Sequence, residues 1–171
     1  MSPGQVYVCD STALIDFFQH FPVEFKRLRK QAANGVIKVP EGVFRELKRK
    51  TDRLRHYLEK WEEEYKVVIR VKDDLRLLSE FARIEQAYGE AVSVGGNDYP
   101  GFWKSPAGRK AADGQVVAVG KVRGYVIVSD DRAVRLACLN ENVQCIGWAE
   151  FARRMRGGTL DDQMGIEFGA K

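Results

Sequence analysis

Whatever chemistry this sequence offers is carried by carboxylates. In "VYVCDSTALIDFF", residues 6–18, an apolar run through Val6, Tyr7, Val8 and Cys9 stops at Asp10, with Ser11 and Thr12 behind it. Glu46 lies in "PEGVFRELKRK" beside the apolar stripe of Val43, Phe44 and Leu47, while Lys48, Arg49 and Lys50 point outward. Asp113 sits in "AADGQVVAVG" among Ala112, Val116, Val117 and Ala118, and Asp130 and Asp131 follow "GYVIVS" as Asp10 follows its own run. Acids pressed against apolar stripes are uncommon unless something positive meets them. Each also has a plain structural reading. Asp10 and one of Asp130 or Asp131 can cap helices; Glu46 can pair with Lys50 at i, i+4; Asp113 can be a first-turn acid favoured by the helix dipole. Asp16 reads as a residue facing solvent or a helix end, or as one more acid serving the same crevice.

Taken together the acids imply more. Carboxylates within ~4 Å of one another repel by ~4 kcal/mol per pair at an effective dielectric near 20. Such a cluster needs a cation or protonated members. Oxygen-only ligands select hard divalent ions, Mg²⁺ or Mn²⁺. The two histidines, His20 and His56, have no ligand-like spacing, which speaks against zinc, and no Ser or Cys is paired with a His as a nucleophile would be.

The elements that must position these acids alternate along the chain. Strand-like runs occur at "QVYVC", "VIKVP", "KVVIRV", "GYVIVS" and "VQCIG". Between them the patterning predicts helices at 12–20, 22–34, 41–50, 52–65, 73–88, 107–122, 131–141 and 147–155. Alternation of this kind belongs to an α/β domain with a mostly parallel sheet, in which ligands bind at the carboxyl ends of the strands. Asp10, Asp130 and Asp131 fall there. Residues 89–106, with a Gly-Gly pair, two prolines and no helical period, read as a long loop. The Gly-rich stretch 157–171 reads as a loosely held tail.

The 171 residues suffice for one domain with a real core. A net charge of +4 permits a polyanionic partner without requiring one. Three cysteines without CxxC spacing, Cys9, Cys138 and Cys145, read as small buried thiols in a reducing compartment. No apolar run approaches the ~20 residues of a membrane span, and "MSPGQVY" lacks the features of a signal peptide, so the expectation is a cytoplasmic protein without membrane contact.

With these pieces in order, the chain resembles the PIN-domain ribonucleases, the fold of VapC-like toxins. "VYVCDSTALIDFF" matches the opening strand and acid, "VPEGVFRELKRK" the second acid, and "KAADGQVVAVGKVRGYVIVSDDRAV" the third and fourth. The resemblance covers the order of elements over residues 5–150. It implies a three-layer α/β/α fold with a central, mostly parallel sheet, filling residues 1–156 as a single domain extended by a helical and loop insertion around 51–106. It implies Asp10, Glu46, Asp113 and Asp131 as catalytic metal ligands, with Asp130 competing for the fourth slot, Ser11 supporting Asp10 and Ser129 in the hydroxyl slot before Asp131. The reaction implied is metal-assisted hydrolysis of RNA phosphodiesters, by one or two Mg²⁺ or Mn²⁺ ions. Ser11, Lys48, Arg49, Arg109, Lys110, Ser129 and Arg132 are the residues expected to contact the RNA. The stretch from Glu46 to Asp113 is longer than in compact toxins, which leaves a related PIN subfamily open.

The resemblance also implies a homodimer and a cognate antitoxin, for which Leu14, Phe17, Phe18 and Phe21 could line a groove or form plain core. Tyr99, Phe102 and Trp103 with Lys104 can stack on unpaired bases or simply pin their segment to the domain. Two other classes stand beside this reading. One is a PIN-like module that binds RNA or protein without cutting. The other is a phosphatase with a nucleophilic Asp, whose two acids one residue apart are not found in "CDSTAL".

Overall fold

The computed structural model describes residues 4–50, 53–104 and 111–156. In chain order the elements are β1 (Tyr7–Cys9), α1 (Ser11–His20), α2 (Pro22–Arg27), α3 (Arg29–Ala33), β2 (Ile37–Pro40), α4 (Glu41–Lys50), α5 (Arg53–Tyr65) and β3 (Val68–Ile69). They continue with α6 (Leu75–Tyr88), β4 (Ala91–Val94), β5 (Asn97–Pro100), α7 (Ala111–Arg123), β6 (Val126–Val128), α8 (Arg132–Glu141) and β7 (Cys145–Ile146). A last helix, α9, occupies 148–156.

Five parallel strands form the central sheet in the order β3-β2-β1-β6-β7. Val8, Cys9, Ile37, Val39, Ile127 and Val128 are fully buried, which is why these strands read as nearly continuous apolar runs: helices cover both faces. The α/β, PIN-like three-layer architecture expected from the sequence is the one the chain adopts. The strand order reverses direction between β1 and β6. β1 and β6 thus flank a topological switch point, where open α/β sheets form their ligand crevice at the carboxyl ends of the strands.

Helix α7 packs across β1, β2 and β6 and against α4, α6 and α8. Its contact with α4 is close because Gly42 has no side chain: a Cβ there would fall 2.8 Å from Gln115 Oε1. The Gly42 N–H instead donates to that oxygen at 2.8 Å, which satisfies one orphan donor of the first turn of α4. On the Tyr7 side, the Phe151 ring of α9 lies 5.3 Å from Tyr7 in a tilted pair and 5.9 Å from Phe17, which meets Phe25 at 5.8 Å; the two phenylalanine pairs are edge-to-face, a favoured geometry.

Three local expectations are corrected. The helix expected over 22–34 is broken at Leu28 into α2 and α3. The helix expected from 73 begins at Leu75, because Asp74 caps it by accepting the Arg76 and Leu77 N–H groups, after a 3-10 turn at Val71–Asp73. The segment expected as a loop holds an antiparallel hairpin, β4–β5, whose two-residue turn is Gly95–Gly96 with φ of 59° and 82°. Both central residues of such a turn need positive φ, which glycine adopts without strain. Of the cysteines, Cys9 and Cys138 are buried, but Cys145 is only half-buried because β7 is an edge strand. Among the described residues, no helix is long and apolar enough to cross a membrane. The stretch 157–171 lies outside the described residues.

Candidate active site at the switch point

Asp10 is the residue at which β1 becomes α1. Its backbone is extended (φ −85°, ψ 172°) and its carboxylate accepts the Ala13 N–H at 2.8 Å, so it is the N-cap of α1. Its other oxygen accepts the Ser129 hydroxyl from the end of β6. Ser129, fully buried, also accepts the Asp131 N–H at 3.1 Å. Asp131 in turn caps α8 by accepting the Val134 N–H at 3.0 Å. One serine thus ties together the acids that leave the two strands at the switch point. Asp10 is 4% exposed, and desolvation pushes its pKa up to about 7 against the lowering effect of the Ser129 and Ala13 hydrogen bonds, with the charges of Asp131 and Asp130 adding to the rise.

Asp113 enters from the first turn of α7. Burial is the main cause that raises its pKa to about 8, and Asp131, Asp10, Glu46 and Glu85 then push the same way by repulsion. Asp113 thus lies within electrostatic reach of Asp131, Asp10 and Glu46, and Asp10 within reach of Asp131. Glu46 is 6% exposed and held by Lys50, whose Nζ donates to Oε1 at 2.6 Å. The plain readings of Asp10, Asp131 and Glu46 are thus all realised, while the charges of all three are felt at Asp113.

Asp130 is placed differently. It is exposed and accepts the Trp148 N–H at 3.0 Å, while a Cβ on Gly147 would fall 2.3 Å from its Oδ1. It secures the start of α9, and its charge is felt at Asp10 but is not among the leading influences on Asp113. The geometry ranks Asp131 ahead of it. Ser11 is buried at the first position of α1, and Asp16 lies further along that helix, half-buried. Lys48, Arg49 and Arg132 are exposed, whereas Arg109 and Lys110 lie outside the described residues.

Sequence reasoning missed Glu85. It stands on α6 beside α7, where a Cβ on Gly114 would lie 2.3 Å from its Oε1, and its Oε2 accepts the Trp103 indole N–H at 2.6 Å. The signal was available: Glu85 follows Phe81 by four residues and lies between Ile84 and Tyr88, on the apolar seam rather than opposite it.

Among the described residues, no three His, Cys, Asp or Glu side chains are drawn together into a ready ligand set. Asp10 and Glu46 point their oxygens at Ala13, Ser129 and Lys50 instead. The donor chemistry still fits a hard divalent cation, being all carboxylate oxygen, strongly buried at Asp10 and Glu46, and self-repelling.

No curated protein matches the sequence. Among solved structures the chain is similar to the crystal structure of PAE2754 from Pyrobaculum aerophilum, at 14% identity with 90% of this chain and 98% of that one covered and a TM-score of 0.49. It is also similar to the structure of FitAB bound to the IR36 DNA fragment, at 12% identity, with 84% and 95% of the two chains covered and a TM-score of 0.51. That second likeness is one of fold. A family profile spans residues 7–157, from β1 through α9, and the chain belongs to the family it describes, Domain of unknown function (DUF4411).

Proposed function

We propose that the protein is a metal-dependent endoribonuclease that hydrolyses RNA phosphodiester bonds at the crevice between β1 and β6. One observation carries the reading: at the switch point buried Ser129 ties the Asp10 carboxylate to the Asp131 backbone, and Asp113, raised to about 8 mainly by burial, feels the charges of Asp131, Asp10 and Glu46. Burying acids and placing them beside like charges costs stability, and acids perturbed in this way cluster at functional sites.

Asp10, Asp113 and Asp131 would hold Mg²⁺ or Mn²⁺, with Glu46 acting partly through water. The bound ion would supply a water of lowered pKa and stabilise charge building on the scissile phosphate. The chain's own contribution is orientation. Ser129 fixes the Asp10 carboxylate and, through the Asp131 N–H, the start of α8. Exposed Lys48, Arg49 and Arg132 would bind backbone phosphates and set the register of the strand. The aspartates at the N-termini of α1 and α8 sit where the helix dipoles favour negative charge.

A cognate antitoxin and a homodimer belong to the same proposal. Leu14 and Phe17 are core, but Phe21 is 40% exposed and lines, with Leu28 and Met155, a cavity of about 380 Å³ between α1–α3 and α9. With Glu24, Arg27, Arg153 and Arg156 also lining it, that surface suits an amphipathic partner segment. A second reading has one observation in its favour. Lys50 already neutralises Glu46 at 2.6 Å, as suits a PIN-like module that binds RNA or protein without cutting.

Calorimetric titration with Mn²⁺ separates the two. The nuclease reading expects binding by the wild type that Asp113→Asn weakens at least about tenfold, in line with the loss of one oxygen ligand. Absence of binding, or equal binding by both, contradicts it.

A further inference from the structure

The hairpin and the 3-10 turn that follows it, Phe102–Lys104, bring two aromatic rings against residues next to the acids, and the chemistry above uses neither. Phe102, 1% exposed, goes into the core and anchors the segment. Its neighbour Trp103 faces the other way and is 46% exposed. Two contacts fix that ring. Its Nε1–H donates to Glu85 Oε2 at 2.6 Å, and it lies so close over Gly89 that a Cβ there would come within 2.3 Å of Cε2 and 2.5 Å of Cζ2. The Trp103 backbone N–H is held too, by the Gly89 carbonyl at 2.8 Å. A large indole is thus clamped along one edge while nearly half the residue stays in water.

The second ring is Tyr99 on β5. The guanidinium of Arg132 lies over it, 4.5 Å from the ring centroid, and Arg132 follows Asp131 directly and is exposed. Asn140 of α8 secures the same hairpin by donating to the Ser93 carbonyl at 2.8 Å. Each ring therefore abuts a residue next to the acids: Tyr99 meets the neighbour of Asp131, and Trp103 meets the Glu85 whose charge is felt at Asp113. Phe102 would have sufficed to pin the segment. Holding a tryptophan in one orientation with its surface open has a different use, because a fixed aromatic surface beside an arginine fits a planar base attached to a phosphate.

We propose that Trp103 and the Tyr99–Arg132 pair form a base-stacking wall that restricts the site to unpaired RNA. The inference rests on the ribonuclease reading of the crevice. In an A-form duplex the base faces are buried in the stack and cannot reach such a wall, whereas splayed bases of a single strand can. Arg132 holds the phosphate while the rings take bases of any identity, so the wall selects strandedness rather than sequence.

The test is fluorescence anisotropy of labelled oligoadenylate, alone and annealed to oligouridylate, with chelator present so that nothing is cut. Wild type is expected to bind the single strand more tightly than the duplex. Trp103→Ala and Tyr99→Ala should each weaken single-strand binding about tenfold, leave duplex binding unchanged, and leave the salt slope unaltered because no charge is removed. Trp103→Phe and Tyr99→Phe should stay within about threefold of wild type, since a stacking face remains. Circular dichroism melts confirm folding; should Trp103→Ala not fold, Tyr99→Ala and Trp103→Leu carry the comparison. Wild type that binds duplex as tightly as single strand, or alanine variants that bind the single strand like wild type, overturn the wall. If cleavage by those variants still needs metal and Asp113, the wall has failed and the nuclease reading stands. If the wild type binds neither form, the wall is likewise overturned, while the nuclease reading is decided separately by Mn²⁺ titration.

Discussion

Asp10 carries two duties, since the same carboxylate closes the first turn of α1 and accepts the Ser129 hydroxyl across the switch point. Asparagine retains a capping oxygen, so Asp10→Asn should keep the helix and change the charge. The raised pKa values then give a sign to the pH dependence. Burial, with like charges beside it, raises Asp10 on folding from the ordinary aspartate value to about 7 and Asp113 to about 8. Between these values the folded state binds more protons than the unfolded one, so their stability contribution is whole below about pH 4 and is lost as pH rises through 7 and 8. Melting of the metal-free protein followed from pH 5 to 8 should fall because of these two groups, and Asp113→Asn should raise metal-free stability at pH 8 by on the order of 1 kcal/mol. A variant less stable than wild type there would contradict the assignment. The existence of these acids was legible from their places after strands and along apolar seams. Their division of labour was not: Asp130 and Asp131 are adjacent in sequence, and only the position of the Trp148 N–H, 18 residues on, commits Asp130 to α9.

Among the elements, the hairpin β4–β5 depends on close backbone approach. A Cβ on Gly101 would fall 2.2 Å from the Tyr88 carbonyl oxygen and 2.6 Å from that of Gly89, and backbone cannot swing aside as a flexible side chain could. Gly101→Ala should lift the hairpin from α6, cost about 2 kcal/mol in denaturant melts, and expose Trp103 further, seen as a red-shifted emission. An unchanged melt would contradict that packing. Beneath the hairpin, Glu141 of α8 joins α6 and α7. Its carboxylate receives Arg83 at 2.5 Å and the Tyr88 hydroxyl, and its carbonyl receives Lys121 at 2.8 Å. Against the desolvation that would raise it, these partners hold the Glu141 pKa below the usual range. Arg83 is half-exposed, which screens the pair, so Glu141→Ala should cost about 2 kcal/mol rather than the full value for a buried pair. Helices and strands here are legible from period and composition, whereas the hairpin's signal, "VSVGGNDY" with two alternating valines before a Gly-Gly turn, is masked by surrounding prolines and glycines that mark a loop.

At the scale of the whole molecule, topology makes the site. β1 and β6 are neighbours although over a hundred residues separate them, and this adjacency brings the first acid to the last. Parallel strands at alternating intervals made the layers legible in advance, but a strand order cannot be read from one sequence, and with it went the contact between Ser129 and Asp10. The net charge of +4 and the exposed Lys48 and Arg49 should make RNA binding fall with salt. Replacing each by Gln should weaken binding to all sequences alike and reduce the slope by about 0.7 for a single strand; an unchanged slope would remove both from the interface. The most direct test of the central claim is cleavage of RNA by the purified chain with Mg²⁺ or Mn²⁺, beside Asp10→Asn and Asp113→Asn preparations verified as folded. The expected result is divalent-dependent cutting by wild type and a loss of at least about a hundredfold in both variants. Cutting at the same rate by all three, or none by wild type with either metal, would contradict the reading of the acid crevice as a nuclease centre.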